Sequence, residues 1–143
     1  MTPKTIKAVY WTTTVIIFLM EGVMPALTGH TELAKEGIRH LGYPDYFRVF
    51  LNVFKVAGAL ALVLPFVPDR IKEWAYFGFA VSMIAAFVSH LAVDGFSGMA
   101  VMPLAFLGVL IGSYTTYHRL RELRGREKVA FDTDRPVFSG AGR

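Results

Sequence analysis

Cysteine is absent from the 143 residues, which removes thiol nucleophiles, disulfide staples and dithiol redox chemistry from the chain itself. A glycine-rich phosphate loop, a zinc-ligand spacing and a nucleophile elbow are missing as well, so no familiar cofactor or hydrolase motif declares an activity. No internal repeat is visible, and no nucleic-acid module accompanies the net charge of +4. Charge is the other scarcity: Asp, Glu, Lys and Arg make up only 18% of the chain, and they avoid four long stretches almost entirely.

Those stretches are what the sequence does contain. Residues 8–29 carry Glu21 as their only charge, 49–67 carry only Lys55, 74–93 hold His90 as the sole ionisable group, and 95–117 have none. Each is long enough to cross a hydrocarbon core of roughly 30 Å at about 1.5 Å per helical residue. A mean hydropathy of +0.45 and 54% hydrophobic residues agree. The expected fold is all-α: an integral-membrane, four-helix, up-and-down bundle over residues 1–118, followed by a basic tail over 119–143. Lys4 and Lys7 before an apolar run resemble a secretory signal, but the run is long and contains Glu21, so it is read as a true first span.

Basic residues set the expected orientation. With both termini cytoplasmic, the inner side holds Lys4, Lys7, Arg70, Lys72, Arg119, Arg121, Arg124, Arg126, Lys128, Arg135 and Arg143, against Lys35, Arg39 and Arg48 outside. That bias orients a multi-pass protein in contact with the lipid bilayer. Between the first two spans, Leu33, Ile38 and Leu41 recur at helical spacing among charges, which predicts a short amphipathic helix at the outer interface, ended by Gly42 and Pro44. Residues 65–72 predict a tight turn with Asp69 capping the third span. From about Lys128 the tail loses periodicity and is expected to be disordered.

Charges buried in a bilayer are costly and mark sites of function or of specific packing. By helical rise, Glu21 and Lys55 both lie roughly 18 Å from the inner face, so an intramembrane ion pair between spans one and two is geometrically available. Arg48, Asn52 and Lys55 share a face of the second span, while Gly78, Ser82, Ala86, His90 and Asp94 form a four-residue ridge on the third. Glu21, Asn52, Lys55, His90 and Asp94 are therefore the candidate ligand-binding residues of a polar pocket opening outward. The pair could equally act as a structural lock on helix register, His90 as a packing residue, and Asp94 as a solvated end cap. Nothing in the spacing of Glu21, His90 and Asp94 demands a metal. Trp11, Trp74, Tyr76, Tyr114 and Tyr117 are expected to form an aromatic belt at the inner side, Pro25 and Pro103 to kink their helices, and Gly108 and Gly112 to mark a close-packing face that would suit a homodimer.

The run Leu41-Gly42-Tyr43-Pro44, Lys55 in a span closing at Pro65, Lys72-Glu73-Trp74-Ala75-Tyr76-Phe77-Gly78 at the start of the third span, and Ser89-His90 with Asp94-Gly95 together resemble the DoxX-like family of small four-span bacterial membrane proteins. The resemblance covers roughly residues 8–118. Phe77 stands where a small residue is expected, and the basic tail lies outside it. The resemblance implies a link to quinone-associated oxidation and to membrane oxidoreductase subunits as partners. It also implies a likeness to EXPERA-type bundles that hold a small apolar ligand around buried acidic groups, with Glu21, Lys55, His90 and Asp94 as the equivalent positions. On this reading the chain binds a quinone or another lipophilic small molecule as an accessory subunit of a redox or stress-related membrane assembly. Two alternatives stay open: a membrane enzyme doing acid–base or redox chemistry on a lipophilic substrate, and a proton-coupled transporter of small solutes, the latter disfavoured by the missing repeats.

Overall fold

The computed structural model describes residues 1–133, and within them it is all-helical. The first span runs over Pro3–Thr28 in three consecutive pieces: α1 (Pro3–Ile17), a π-helical turn (Phe18–Val23) and α2 (Met24–Thr28). The amphipathic helix α3 (Glu32–His40) follows, then α4 (Asp45–Val63), α5 (Asp69–Asp94) and α6 (Gly98–Thr133). Four helices are thus long and apolar enough to cross a membrane, as the four apolar runs predicted.

The spans close into a ring. The first packs on α6, α6 on α5, α5 on α4, and α4 back on the first span through its π turn. Short links at 64–68 and 95–97, and the α3 segment between the first span and α4, give the antiparallel order. Thr2 caps α1 by accepting from the Thr5 amide, and Pro3 occupies the first helical position, where its missing N–H costs nothing. Thr31 caps α3 the same way. Gly42 and Gly95, with φ of +85° and +71°, supply the left-handed residues that stop α3 and α5.

Packing is thin, as a bundle bathed in lipid requires. Ile17, Ala59 and Leu62 are wholly or almost wholly buried, and around them sit Phe79, Met83 and Leu110. Leu19, Phe50, Phe54, Val81, Val88 and Ile111 point outward, giving the hydrocarbon-facing surface. α3 turns its charges to the outside: the Lys35 ammonium, 2.6 Å away, holds the Glu32 carboxyl below its usual range, and Asp45 does the opposite for Arg39, raising it.

Several expectations need correction here. Tyr76 and Tyr117 are not belt residues: at 4% and 7% exposure they are core, because each hydroxyl finds a partner inside. Tyr76 Oη lies 2.9 Å from Ser113 Oγ, which in turn is 2.8 Å from Thr14 Oγ1, and Tyr117 Oη donates to Asp69 Oδ1 at 2.5 Å. Trp11 and Trp74 do face outward, as a belt requires. Asp69 is not a cap, since Pro68 holds that position; its carboxylate is taken by Tyr117 and by Arg121 at 3.1 Å. Helix α6 also continues to Thr133, past the residue where order was expected to end; the rest of that expectation, with Arg135 and Arg143, lies outside the described residues. Gly112 packs against Thr13 of α1 inside the same chain, which uses part of the face assigned to a homodimer, whereas a Cβ on Gly108 would meet open space.

Candidate functional site

Pro25 explains the most unusual element of the first span. An α-helix would bond the amide of residue 25 to the carbonyl of Glu21, but proline has no N–H, and its ring crowds that carbonyl. The helix widens just before it, and the Met24 amide reaches back five residues to Leu19 O. A π turn inserts one extra residue, so inward-facing positions shift: Ile17, Glu21, Pro25 and Gly29 turn toward the bundle while Met24, Leu27 and Thr28 stay exposed. Such turns gather at functional sites because they re-aim a side chain at small cost.

The side chain re-aimed here is Glu21. Its Oε2 lies 2.8 Å from Lys55 Nζ on α4, with side-chain exposures of 12% and 23%. Gly22 makes the approach possible: a Cβ there would stand 2.7 Å from Ala59 Cβ, so only glycine lets the π turn lie this close to α4. The equal-depth arithmetic therefore predicted a contact the fold does form.

Lys55 also lines a cavity of about 450 Å³ between α4 and α5. Leu51, Phe54, Trp74 and Phe79 supply its walls, and Gly78 and Ser82, from the small-residue ridge, supply its floor. Apart from Lys55 and Ser82 the lining is apolar or aromatic, the composition of a small-molecule site with few orienting groups. An ammonium has three donors and Glu21 engages one side of it, so Lys55 can still donate to a carbonyl placed in the groove.

The remaining candidates are not gathered around that pair. Asn52 faces the first span, its Nδ2 occupying the space a Cβ on Gly29 would need, and it lines a different cavity with Arg48 and His30. Asp94 accepts from His90 Nδ1 at 2.9 Å and from His40 Nε2 at 2.5 Å; a carboxylate only accepts, so both facing ring nitrogens carry hydrogen. Tyr43 Oη adds a 2.8 Å bond to Ser89 Oγ. These contacts clasp α3 and its following loop to the end of α5. Among the described residues no three carboxylates or imidazoles assemble to hold a metal ion.

A DoxX-like family model matches residues 9–113, most of the four-span region, along the same stretch that carries the Lys72-to-Gly78 run. The chain belongs to the DoxX-like family. Comparison with curated proteins and with solved structures returns no match. Membership of the DoxX-like family makes this a multi-pass membrane protein and leaves its chemistry to be argued from its own residues.

Sequence reasoning missed a second polar feature of this DoxX-like bundle, toward the end where α5 begins. There Thr14, Tyr76 and Ser113 join by buried hydroxyl bonds, and Tyr117, Asp69 and Arg121 join beyond them. Arg121 also lies over the Tyr117 ring, 5.9 Å from its centroid. The available signal was a hydroxyl residue at an inward register position in each of spans one and four.

Proposed function

We propose that this DoxX-like protein binds a lipophilic small molecule with a carbonyl-bearing head group, a quinone being the class that fits best, in the groove between α4 and α5. It would serve as an accessory subunit of a redox assembly in the bacterial inner membrane, with both termini cytoplasmic. One observation carries the reading: a lysine, charge-paired by a glutamate on the neighbouring span, stands in the wall of an otherwise apolar groove open to the hydrocarbon. A charge has little reason to be there unless it pairs, lines a cavity, or both, and Lys55 does both. Glu21 orients the ammonium, and Lys55 donates to the ligand carbonyl while Phe54, Trp74 and Phe79 flank its ring. His90 is left out of this role because Asp94 engages its Nδ1.

The test is an organic extract of the purified protein analysed by mass spectrometry, with Gly78→Leu as the decisive variant. A Cβ on Gly78 meets nothing within 4 Å, so the larger side chain fits the fold yet fills the groove. A co-purifying lipophile should disappear in Gly78→Leu and in Lys55→Met while both remain folded. Its persistence in Gly78→Leu refutes the groove as the site.

A further inference from the structure

A second cavity, of about 650 Å³, lies on the opposite side of α4 from the Lys55 groove, between α4 and the segment that follows the π turn. Its α3 end is polar, formed by Arg48, His30 and Asn52. Val49, Val53 and Leu60 carry the rest along α4 as an apolar trough, which from Arg48 to Leu60 spans about 18 Å of helix.

Arg48 is the unusual member. Its Nη1 donates to the Gly29 carbonyl, a bond that fixes the guanidinium at the mouth, while its Nε is buried with no hydrogen-bond partner. No carboxylate forms an ion pair with it among the described residues: the nearest acid in sequence, Asp45, is engaged by Arg39 at 2.6 Å. A half-buried guanidinium whose Nη groups keep N–H donors beyond the one on Gly29, flanked by an imidazole and an amide, is a site for an anionic oxygen, and arginine suits phosphate and carboxylate in particular. The mouth is packed, since Asn52 stands where any side chain at residue 29 would lie and Arg48 is held on the Gly29 carbonyl.

We infer that this cavity holds one anionic amphiphile, a lipid with a phosphate or carboxylate head on Arg48 and an acyl chain lying along Val49, Val53 and Leu60. The site is independent of the carbonyl ligand assigned to the Lys55 groove and differs from it in the charge of its occupant.

The test is native mass spectrometry and thermal unfolding of the full chain in mild detergent, with four probes: dioleoyl phosphatidylglycerol, oleate, dioleoyl phosphatidylcholine and inorganic phosphate. The two anionic amphiphiles should raise the unfolding temperature and leave one bound copy. Phosphatidylcholine and phosphate should do neither. Arg48→Gln, which removes a charge-assisted bond, should weaken phosphatidylglycerol binding by about tenfold or more. Val53→Trp, at a position 60% exposed, should block the trough without touching Arg48, and Lys55→Met should leave this binding intact. Equal stabilisation by phosphatidylcholine overturns the proposal, as does an undiminished phosphatidylglycerol signal in a folded Arg48→Gln or Val53→Trp. Stabilisation by inorganic phosphate alone, matching that of the lipid, overturns it in favour of a free-anion site. Loss in Lys55→Met but not in Arg48→Gln would merge the two cavities' ligands and refute their independence.

Discussion

Removing Lys55 while keeping Glu21 separates a working charge pair from an incidental one. At the observed 2.8 Å the gross attraction between the two charges is about 6 kcal/mol at an effective dielectric of about 20, most of it offset by desolvation. Breaking the pair does not recover that desolvation, because the Glu21 side chain is only 12% exposed and remains in the bundle. Lys55→Met should therefore cost about 3 kcal/mol or more, in the range seen when one partner of a buried pair is lost. Glu21→Gln should cost less, since the flexible lysine stem can carry its ammonium toward a more polar level. The double variant, with neither charge, should return close to wild-type stability, because apolar replacement of a buried pair is often neutral. A double-mutant cycle measured by unfolding in mixed dodecyl sulfate and maltoside micelles should then yield a coupling of about 3 kcal/mol or more, the two single losses less the small loss of the double variant. A coupling below about 0.5 kcal/mol would falsify the claim that the two charges depend on each other. Ligand content of the double variant adds a second readout: a stable protein that has lost its lipophile separates binding from architecture.

Other outcomes follow from single contacts. Gly22→Ala should destabilise by about 1–3 kcal/mol, because its Cβ would lie 2.7 Å from that of Ala59, and Ala59→Gly in the same chain should restore most of the loss; the unfolding titration reads both. Ser113→Ala should cost about 2 kcal/mol by stranding the buried hydroxyls of Thr14 and Tyr76, whereas an effect within a few tenths would show that they find other partners. Asp94→Asn should free α3 from the end of α5, seen as faster amide exchange confined to residues 32–43, with the Lys55 groove unaffected. Because the chain has no cysteine, Leu33→Cys and Val129→Cys report topology on a clean background: an impermeant maleimide should label the first in intact cells and spare the second.

The architecture was readable because its signals are long. Four runs of about twenty residues with at most one charge apiece survive any uncertainty in where a helix begins, and the depth of Glu21 and Lys55 needs only the helical rise. What could not be read was rotation about the helix axes. Asn52 is three residues from Lys55 on α4 yet serves another cavity, since that spacing leaves tens of degrees between side chains and each lies near a different neighbour. The partner of Asp94 includes His40, fifty-four residues away, whose role depends on how α3 folds back onto the bundle. Tyr76 and Tyr117 carry the composition of a belt, and only the hydroxyls of Ser113 and the carboxylate of Asp69 decide that they turn inward.

Pro25 links the two cavities, and its replacement is the sharpest probe of how the site is made. Without the proline ring, an amide at residue 25 can bond the Glu21 carbonyl, and the reason for the π turn disappears. Relaxing to an ordinary α-helix removes one residue from the register, so the face beyond residue 23 rotates by about 100°. Met24 and Thr28 would then swing toward α4, and Gly29 would leave its place over Asn52 and Arg48. Pro25→Ala should accordingly leave the secondary structure as helical as before, yet disturb both cavities at once, since the Arg48 mouth depends on Gly29 and the Lys55 groove on the aim of Glu21. Ligand retention reads this directly: Pro25→Ala, still helical by circular dichroism, should lose both the lipophile of the Lys55 groove and the lipid of the Arg48 cavity. Retention of both would mean that the packing of Gly22 on Ala59, rather than the missing amide, holds the π turn open, and the order of cause assigned to this segment would reverse.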